Sequence, residues 1–456
     1  MQPQANIGTA RVTTDRVSYG LPFYFTLVYL VLEYGRPQMT IPGLTELHLP
    51  GIVVGLLAVM LVGSWRIDMG EMQTRLFMTL LVWMAVHIPF AVNNYWAYHT
   101  TRAMLITFVA YLAIVTFVDS FEKFQAMITT WIGIHIYLAI NGFIKEGRGI
   151  GGFLGDENDF ALALNMVIPF GFFLAMEAKT KIKRLLLLII TGGFLICNVA
   201  TFSRGGFVGL VAVAFYCWIR SPRKVLSIFV VILLISTMVY LAPEKYWTEM
   251  QTIVQEPQSL KGGTSQVRIY SWKAAWRMFL DHPIFGVGPG NFEWNFERYE
   301  PPEGLYGRTH GGRSAHSLYF TLMPDLGIPG IVIFLFMLKV IWKDRKKIMK
   351  LKNVEKDLTP RKAYGREIKQ RVRSDDLSKI YYLNLAIGGS LTGYFVSGAF
   401  LSVLYYPNFW ILLAFTTALK KIVYKSANEG TDFRTVDSNI GTTWPVYSMT
   451  RSDENQ

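Results

Sequence analysis

Residues 313–330 read RSAHSLYFTLMPDLGIPG and open an apolar run that continues to about residue 342. The run is long enough to cross a bilayer as a helix, yet it contains a carboxylate, Asp325, together with two prolines and two glycines. Irregular backbone is tolerated at membrane depth only where it is buried in protein or lines a wet cavity. A charge that faces lipid is costly, so we expect Asp325 to line such a cavity or to pair with an inward-facing cation.

The rest of the chain has the composition of a membrane protein. Hydrophobic residues make up 52% of the 456 residues and charged residues only 17%, against about 25% in soluble domains. The apolar residues are clustered in runs of bilayer-spanning length, which predicts an all-α polytopic membrane protein with about twelve transmembrane helices. The predicted spans are about 19–34, 49–64, 76–92, 102–118, 122–143, 159–177, 184–201, 205–219, 224–241, 316–342, 379–403 and 406–421.

The distribution of Lys and Arg predicts the orientation of these spans, because cytoplasmic loops are enriched in both. Residues 343–379 hold 14 Lys or Arg against 6 Asp or Glu, whereas residues 242–315 hold 8 of each. The formal charge of +13 is therefore a topology signal, with anionic-lipid contact as a second use, and not a nucleic-acid footprint. The predicted divisions are a cytoplasmic N-terminal segment at 1–18, spans one to nine within 19–241, a large periplasmic loop at 242–315, span ten at 316–342, a basic cytoplasmic loop at 343–378, spans eleven and twelve within 379–421, and a disordered cytoplasmic tail at 422–456.

Several classes of feature are not expected from the sequence. Residues 1–18 are polar and no cleavage pattern follows the first apolar run, so we expect no cleaved signal peptide. Cys197 and Cys217 both lie inside apolar runs and are predicted to be core residues without a disulfide. No zinc-ligand spacing or Walker motif occurs, and no Asp-x-Asp pair lies in an outer loop, so we predict no metal and no cofactor.

The large outer loop contains a predicted amphipathic helix, VRIYSWKAAWRMFLDHP at 267–283. Pro283 ends the helix, since proline cannot continue the hydrogen-bond pattern. Its aromatic residues are suited to rest on the membrane surface, where Trp is favoured. The apolar positions that recur at spacings of three and four are Ile269, Trp272, Ala275, Trp276 and Phe279.

Three arginines are predicted to lie at the outer ends of these segments. Arg204 sits in TFSRGG (201–206), a connection too short to carry the charge far from the bilayer. It is either an arginine that reaches lipid phosphate or a bidentate clamp on a ligand diphosphate. Arg268, at the head of the outer helix, is either a solvated surface arginine or a second cation for the same anion, and Arg102 is a weaker third.

A glycine-rich outer stretch, NGFIKEGRGIGGFLGDEND, occupies residues 141–159. It contains G-x-G-x-x-G but follows no strand, so it does not predict dinucleotide binding. It is either an ordinary loop or one whose backbone N–H groups approach a phosphate or sugar.

His316 begins span ten at its outer end and is a candidate general base. A helix N-terminus disfavours imidazolium, and a neutral imidazole can take a proton from a hydroxyl. A structural interfacial histidine is the alternative. Together with the arginines, His316 suits a substrate that has a membrane-soluble half, a diphosphate and a hydrophilic half. A glycan linked to polyprenyl diphosphate is such a molecule, and its diphosphate is already a leaving group.

Three motifs in this order resemble the bacterial O-antigen ligase and polymerase family, over about residues 140–335. These are SRGG (203–206), RIYSWKAAWRMFLDHPIFGVGPGNF (268–292), and His316-Ser317 followed after nine residues by Gly327-x-x-Gly330. The resemblance implies a C-type glycosyltransferase-like helical fold in the bacterial inner membrane, with the site facing the periplasm. It also implies an undecaprenyl-diphosphate donor and an inverting, metal-independent transfer.

By the family pattern, Arg204 and Arg268 would bind the diphosphate and His316 would activate the acceptor hydroxyl. Ser203, Asp325, Gly327 and Gly330 would support them.

The acceptor stays open at this level. A ligase transfers the glycan to lipid A-core, a polymerase to a second carrier-linked repeat unit of an O-antigen or exopolysaccharide, and a third branch to protein. A transporter or flippase for lipid-linked glycan, and a non-catalytic scaffold, are alternatives of other classes. The predicted partners are the lipid-linked donor, one of these acceptors and membrane lipids. The basic loop and the tail are candidate docking segments for export or chain-length proteins.

Overall fold

A computed structural model of the protein describes residues 19–64, 67–221, 264–302, 311–357 and 374–429, with four isolated positions between 224 and 236. All regular secondary structure within these residues is helical. The predicted N-terminal segment, most of the ninth span, and parts of the two long loops and of the tail lie outside the described residues.

The helices of the described residues follow the predicted apolar runs. Each predicted span except the ninth coincides with a helix, and most helix ends differ from the prediction by a few residues. Three helices extend further than predicted, to Asn94 at one start and to Asp357 and Glu429 at two ends. The α-helices are α1 (Leu21–Leu30, continued by a π-helical turn Val31–Gly35), α2 (Leu49–Ser64), α3 (Met72–His87), α4 (Asn94–Phe117), α5 (Phe121–Ile144), α6 (Glu157–Glu177), α7 (Lys181–Ala200), α8 (Arg204–Arg220), α9 (Thr264–Asp281), α10 (Phe292–Tyr299), α11 (Leu318–Asp357), α12 (Ser374–Gly398) and α13 (Pro407–Glu429).

Length and hydropathy make several of these helices candidates to cross a membrane, as expected for a multi-pass protein. Six segments of the described residues meet both criteria, and the shorter apolar helix Leu21–Gly35 adds to them. The prediction of twelve spans is finer than this finding and stays a prediction. The six segments are Thr45–Ser64, Asn94–Phe117, Phe121–Ile144, Glu157–Glu177, Lys181–Ala200 and Leu318–Lys350.

The centre of the bundle is α6, which packs against α7, α8 and α12. Its side chains are apolar on all sides and almost all buried, as expected for a helix enclosed by others. Asn165 of α6 donates to the carbonyl of Gly206 at 2.8 Å and to Ser397 Oγ at 3.1 Å, so it links α6 to α8 and α12. Cys197 and Cys217 are buried and free, which confirms that they form no disulfide.

A second, smaller core forms between α9 and α10. The predicted helix is confirmed. Ile269 and Trp276 are exposed, and of the five predicted apolar positions only Ala275 is fully buried; the contact of the aromatic residues with the membrane surface stays a prediction. The small side chains of Ala274 and Ala275 allow α10 to approach closely, and the bulky residues are left on the outside. The buried members of this core are Tyr270, Ala274, Ala275, Met278, Val287, Phe292, Phe296 and Ala315.

The prolines and glycines of the opening stretch produce a break in α11 at which the outer segment docks. Gly327 has φ 62° and ψ −167°, which interrupts the helical hydrogen bonds, and a Cβ there would overlap the carbonyl oxygen of Ile284. The carbonyls of Pro324 and Asp325 accept hydrogen bonds from the N–H groups of Val287 and Gly288, at 2.7 and 3.0 Å. The backbone groups freed by the break are therefore satisfied by the loop between α9 and α10.

Candidate active site

Asp325 has a different role from the predicted one. It is fully buried. Its Oδ2 accepts from Gly290 N at 2.9 Å and from the Tyr405 hydroxyl at 2.9 Å, and its Oδ1 accepts from Phe292 N at 3.0 Å. The expectation of a cavity-lining carboxylate or a cation partner is therefore replaced by a clamp that holds the Gly290–Phe292 loop to the broken helix.

His316 lies in the short segment that leads into α11, and two outer helices hold this segment. Trp272 of α9 donates its indole N–H to the carbonyl of Ala315 at 3.0 Å and stacks on Phe320 with ring centroids 5.1 Å apart. On the other side, Ser314 hydrogen-bonds to Glu293 of α10. His316 itself has φ 45°, a left-handed conformation that is uncommon outside glycine and marks a constrained position.

The surroundings of His316 favour the neutral imidazole. Its pKa is lowered first by partial burial and then by the positive charge of Arg268, while Asp156 and Glu293 act in the opposite direction. The positive charge of Arg268 thus acts on His316, and the shared role of the two residues in one site stays a prediction. A neutral imidazole that is still accessible from the surface can accept a proton.

Phe400, in the turn after α12, connects Arg268 to the start of α8. The guanidinium carbon of Arg268 lies 5.7 Å from the centroid of the Phe400 ring, which is a cation–π distance. A Cβ on Gly205 would lie 3.3 Å from the Cβ of Phe400, so the backbone next to Arg204 packs against the same residue. The segments that carry the two predicted anion-binding arginines are therefore brought together around one aromatic ring.

The start of α8 is fixed by Ser203, the predicted supporting residue. Ser203 Oγ accepts from Gly206 N at 2.9 Å as the N-cap and donates to Asn158 Oδ1 at 2.7 Å. A Cβ on Gly206 would overlap Ala161, which explains the second glycine of the SRGG motif. Arg204 is therefore presented from a rigid helix start that is held directly by α6.

Arg102 is exposed on α4, and its part in the anion site stays a prediction. The glycine-rich stretch is explained in part by close packing, because a Cβ on Gly147 would overlap the backbone of Ala200, and one on Gly152 would overlap Arg36. Within the described ranges, no three His, Cys, Asp or Glu side chains are grouped as metal ligands would be.

Sequence reasoning missed a second group at the same end of the bundle. Arg36, after the π-helical turn, lies with its guanidinium carbon 4.5 Å from the centroid of Phe153, whose ring is 5.7 Å from that of Tyr406. Burial and nearby carboxylates, Asp156 and Glu293 among them, raise the pKa of Tyr406 to about 12. Both carboxylates also act on His316, and an arginine directly after the first apolar run was the sequence signal for this second group.

These elements define a helical, membrane-type protein in which Arg268 acts on His316 at one end of the bundle and packs against the same aromatic ring as the start of α8. Residues 186–335 match the family model described as Wzy_C, O-antigen ligase. The match contains Arg204, Arg268, His316 and Asp325. It confirms the resemblance to the O-antigen ligase and polymerase family over this part of the chain.

The chain is also similar to a curated protein, the teichuronic acid biosynthesis protein TuaE of Bacillus subtilis (strain 168). The two are 29% identical over 233 residues, which is 44% of this chain and 46% of the relative. The chain thus spans about half the length of that relative.

Proposed function

We propose that the protein is a glycosyltransferase that moves a glycan from undecaprenyl diphosphate to a hydroxyl of lipid A-core, as an O-antigen ligase does. The observation that supports this proposal is that Arg268 acts electrostatically on His316, and that both Arg268 and the start of α8, which carries Arg204, lie against Phe400. A base with guanidinium groups from these two segments suits an acceptor hydroxyl and a departing diphosphate.

The proposed step is a single inverting displacement. The acceptor oxygen attacks the anomeric carbon of the donor glycan, and the bond from that carbon to the diphosphate oxygen breaks. His316 takes the hydroxyl proton, and the bonding pair leaves with undecaprenyl diphosphate. Arg204 and Arg268 neutralise the charge that develops on the leaving group, so the step is proposed to need no metal ion.

The proposed membrane arrangement places this end of the bundle in the periplasm. The starts of α6, α8, α9 and α11 share this end, whereas the basic segments after α8 and α11 follow the opposite ends of those helices. Because basic loops favour the cytoplasm, the arrangement supports a periplasmic site in the inner membrane, with about twelve spans and residues 242–315 as the large outer loop.

A polymerase is the second candidate. The curated relative is named for teichuronic acid biosynthesis, and that name specifies neither the reaction nor the acceptor, so it leaves this candidate open. In a polymerase, the same base and arginines would act on a hydroxyl of a second carrier-linked repeat unit. A protein acceptor and a pure transporter or flippase remain outcomes of the test.

The test is an in vitro transfer assay with the purified protein. A carrier-linked repeat unit is incubated alone and then with lipid A-core, and the products are separated on gels and weighed by mass spectrometry. A product that requires lipid A-core supports the ligase, and a ladder without it supports the polymerase. The absence of any new bond with both acceptors would refute the proposed transfer and would favour the transporter.

Matched variants connect the assay to the site. We expect Arg268→Ala to abolish transfer, whereas Arg277→Ala, on the exposed side of the same helix, retains it. We also expect His316→Ala to abolish transfer without loss of expression or membrane insertion. Normal activity of either Arg268→Ala or His316→Ala would contradict its proposed role.

A further inference from the structure

Two helices at the proposed periplasmic end carry exposed apolar stripes that run toward the docked loop. On α3 and the turn after it, exposed apolar residues recur every fourth position at Met78, Val82, Val86 and Phe90. On α11, Ile328, Val332 and Leu335 are exposed in the same way. In a protein with membrane-length helices, such stripes are the surfaces that face lipid.

The loop after α9 lies directly between these two stripes. The carbonyl of Pro283 accepts from Ile328 N at 2.8 Å, and Phe285 stacks on Trp83 of α3 with ring centroids 5.6 Å apart. Yet Ile284 is 59% exposed and Phe285 is 56% exposed. The tip formed by these two residues therefore continues both lipid-facing stripes and ends them with bulky apolar side chains.

The same surface extends along α9. Ile269, Trp276 and Leu280 are exposed and lie at spacings of seven and four, which places them on one side of the helix. The opposite side is buried against α10, so this exposed stripe is not covered within the described residues. Lys273 and Arg277, also exposed, lie on the same helix.

The neighbouring start of α4 has the composition of a membrane–water interface. Tyr95 and Trp96 are exposed there, and the preceding Asn93 accepts and donates backbone hydrogen bonds with the Asn291 side chain, at 3.2 and 2.8 Å. Trp and Tyr are enriched at the level of lipid headgroups. The loop between α9 and α10 is thus held at the level where exposed aromatic residues gather.

We propose that Ile269, Trp276, Leu280, Ile284 and Phe285 form an interfacial ridge that inserts into the surface of the lipid bilayer. Interfacial helices bury their apolar face about 5–10 Å into the boundary of headgroups and acyl chains. Lys273 and Arg277 then lie at the level of lipid phosphates. The occupant of the ridge is lipid and not a protein partner, because the ridge is continuous with two lipid-facing stripes and the cations Lys273 and Arg277 lie beside it. The one nearby carboxylate on α9, Asp281, accepts a hydrogen bond from the Tyr299 hydroxyl at 3.0 Å.

The ridge has a consequence for the proposed function, and this part rests on that proposal. Arg268 precedes the first ridge residue, and Trp272 of the same helix holds the segment before His316. Insertion of the ridge would set the depth of Arg268 and His316 at the phosphate layer. A diphosphate whose lipid tail is in the membrane stands at that depth.

Fluorescence quenching in liposomes tests the membrane contact itself. In a parent protein with Cys197→Ser and Cys217→Ser, a fluorescent label is attached to the single cysteine of Leu280→Cys. The control carries the label at Glu297→Cys, on the exposed side of α10. The liposomes contain phosphatidylglycerol, phosphatidylethanolamine and a lipid with a nitroxide near the headgroup. We expect several-fold stronger quenching at position 280 than at position 297. Equal quenching at both, with equal access to aqueous iodide, would overturn the proposal even if transfer activity is normal.

A second measurement does not depend on the cysteine parent. The double variant Ile284→Ser with Phe285→Ser is compared with the wild-type protein in detergent and in liposomes. We expect similar transfer in detergent and a several-fold loss in liposomes, because detergent imposes no fixed depth. If the double variant transferred as fast as the wild-type protein in both detergent and liposomes, the depth-setting role would be refuted. Absence of transfer by the wild-type protein would refute the proposed function. In that case the fluorescence quenching alone would test whether the ridge contacts the membrane.

Discussion

Replacement of Asp325 by asparagine tests how the outer loop is held to the broken helix. The two carboxylate oxygens accept from Gly290 N, Phe292 N and the Tyr405 hydroxyl. An asparagine side chain has one carbonyl oxygen and one NH₂ group, which is a donor. In either orientation its NH₂ faces a backbone N–H, so at least one buried donor loses its acceptor.

The cost follows from the number of donors that lose an acceptor. One unsatisfied buried group costs about 1–3 kcal/mol, so we expect Asp325→Asn to lower the free energy of unfolding by about that amount. Asp325→Ala leaves all three donors without a partner and is expected to be worse. Tyr405→Phe removes only one donor and leaves two bonds to the carboxylate, so it is expected to be mildest.

The assay is thermal unfolding in detergent, combined with limited trypsin digestion. Asp281→Asn is the control, because Asp281 is exposed on α9 and accepts only from the Tyr299 hydroxyl, at 3.0 Å, among the bonds of the described side chains. We expect the stability order Asp281→Asn, Tyr405→Phe, Asp325→Asn, Asp325→Ala, with faster cleavage within α9 at the unstable end. Wild-type melting and wild-type protease resistance in Asp325→Asn would refute the clamp.

The other predictions concern the proposed chemistry. Because the pKa of His316 is lowered, its neutral form persists below the usual value of about 6.5, and we expect the acid limb of kcat/KM to fall below that pH. Arg268→Gln removes a positive neighbour and should raise the pKa of His316 in an NMR titration of the imidazole ring, which needs no transfer activity, whereas Arg268→Lys should leave that pKa in place; an unchanged pKa in the glutamine variant would contradict the coupling. Arg204→Lys should lose most transfer, because a point charge cannot bind a diphosphate in bidentate fashion. Arg102→Ala should keep it, and the transfer rate of each variant in the in vitro assay measures both effects. Gly327→Ala should destabilise the fold in a melting experiment, since its Cβ would overlap a carbonyl of the docked loop. EDTA should not lower the transfer rate, and a loss that a divalent ion restores would refute the metal-independent step.

The helices were predictable because each long apolar run is a local property of the chain. What the runs could not give is the face that a helix buries. For α9, the spacing of Ile269 and Trp276 indicated an amphipathic helix, but only the structure shows that the side with Ala274 and Ala275 is packed. Close approach of a neighbouring helix decides this choice, and the neighbour is distant in sequence.

The candidate site was predictable only where one segment carries the signal. His316, Arg204 and Arg268 lie in recognisable motifs, but their relation depends on Phe400, which has no motif of its own. Arg36 is even more distant in sequence. Tertiary packing brings such residues together, and the local sequence pattern does not indicate these contacts.

The error at Asp325 has a physical reason that also explains the opening stretch. A buried carboxylate was expected to need a cation, yet backbone N–H groups satisfy it, and any residue can supply those. The break at Gly327 frees carbonyls that would be costly in a membrane, and the loop from Pro283 to Phe292 satisfies both the carbonyls and the carboxylate. The Asp325 carboxylate and the irregular backbone at Gly327 therefore belong to one docking surface for this loop. That loop follows α9, the helix that carries Arg268. The break lies eleven residues after His316 in the chain, so docking of the loop at the break sets the spacing between the proposed base and the proposed anion site.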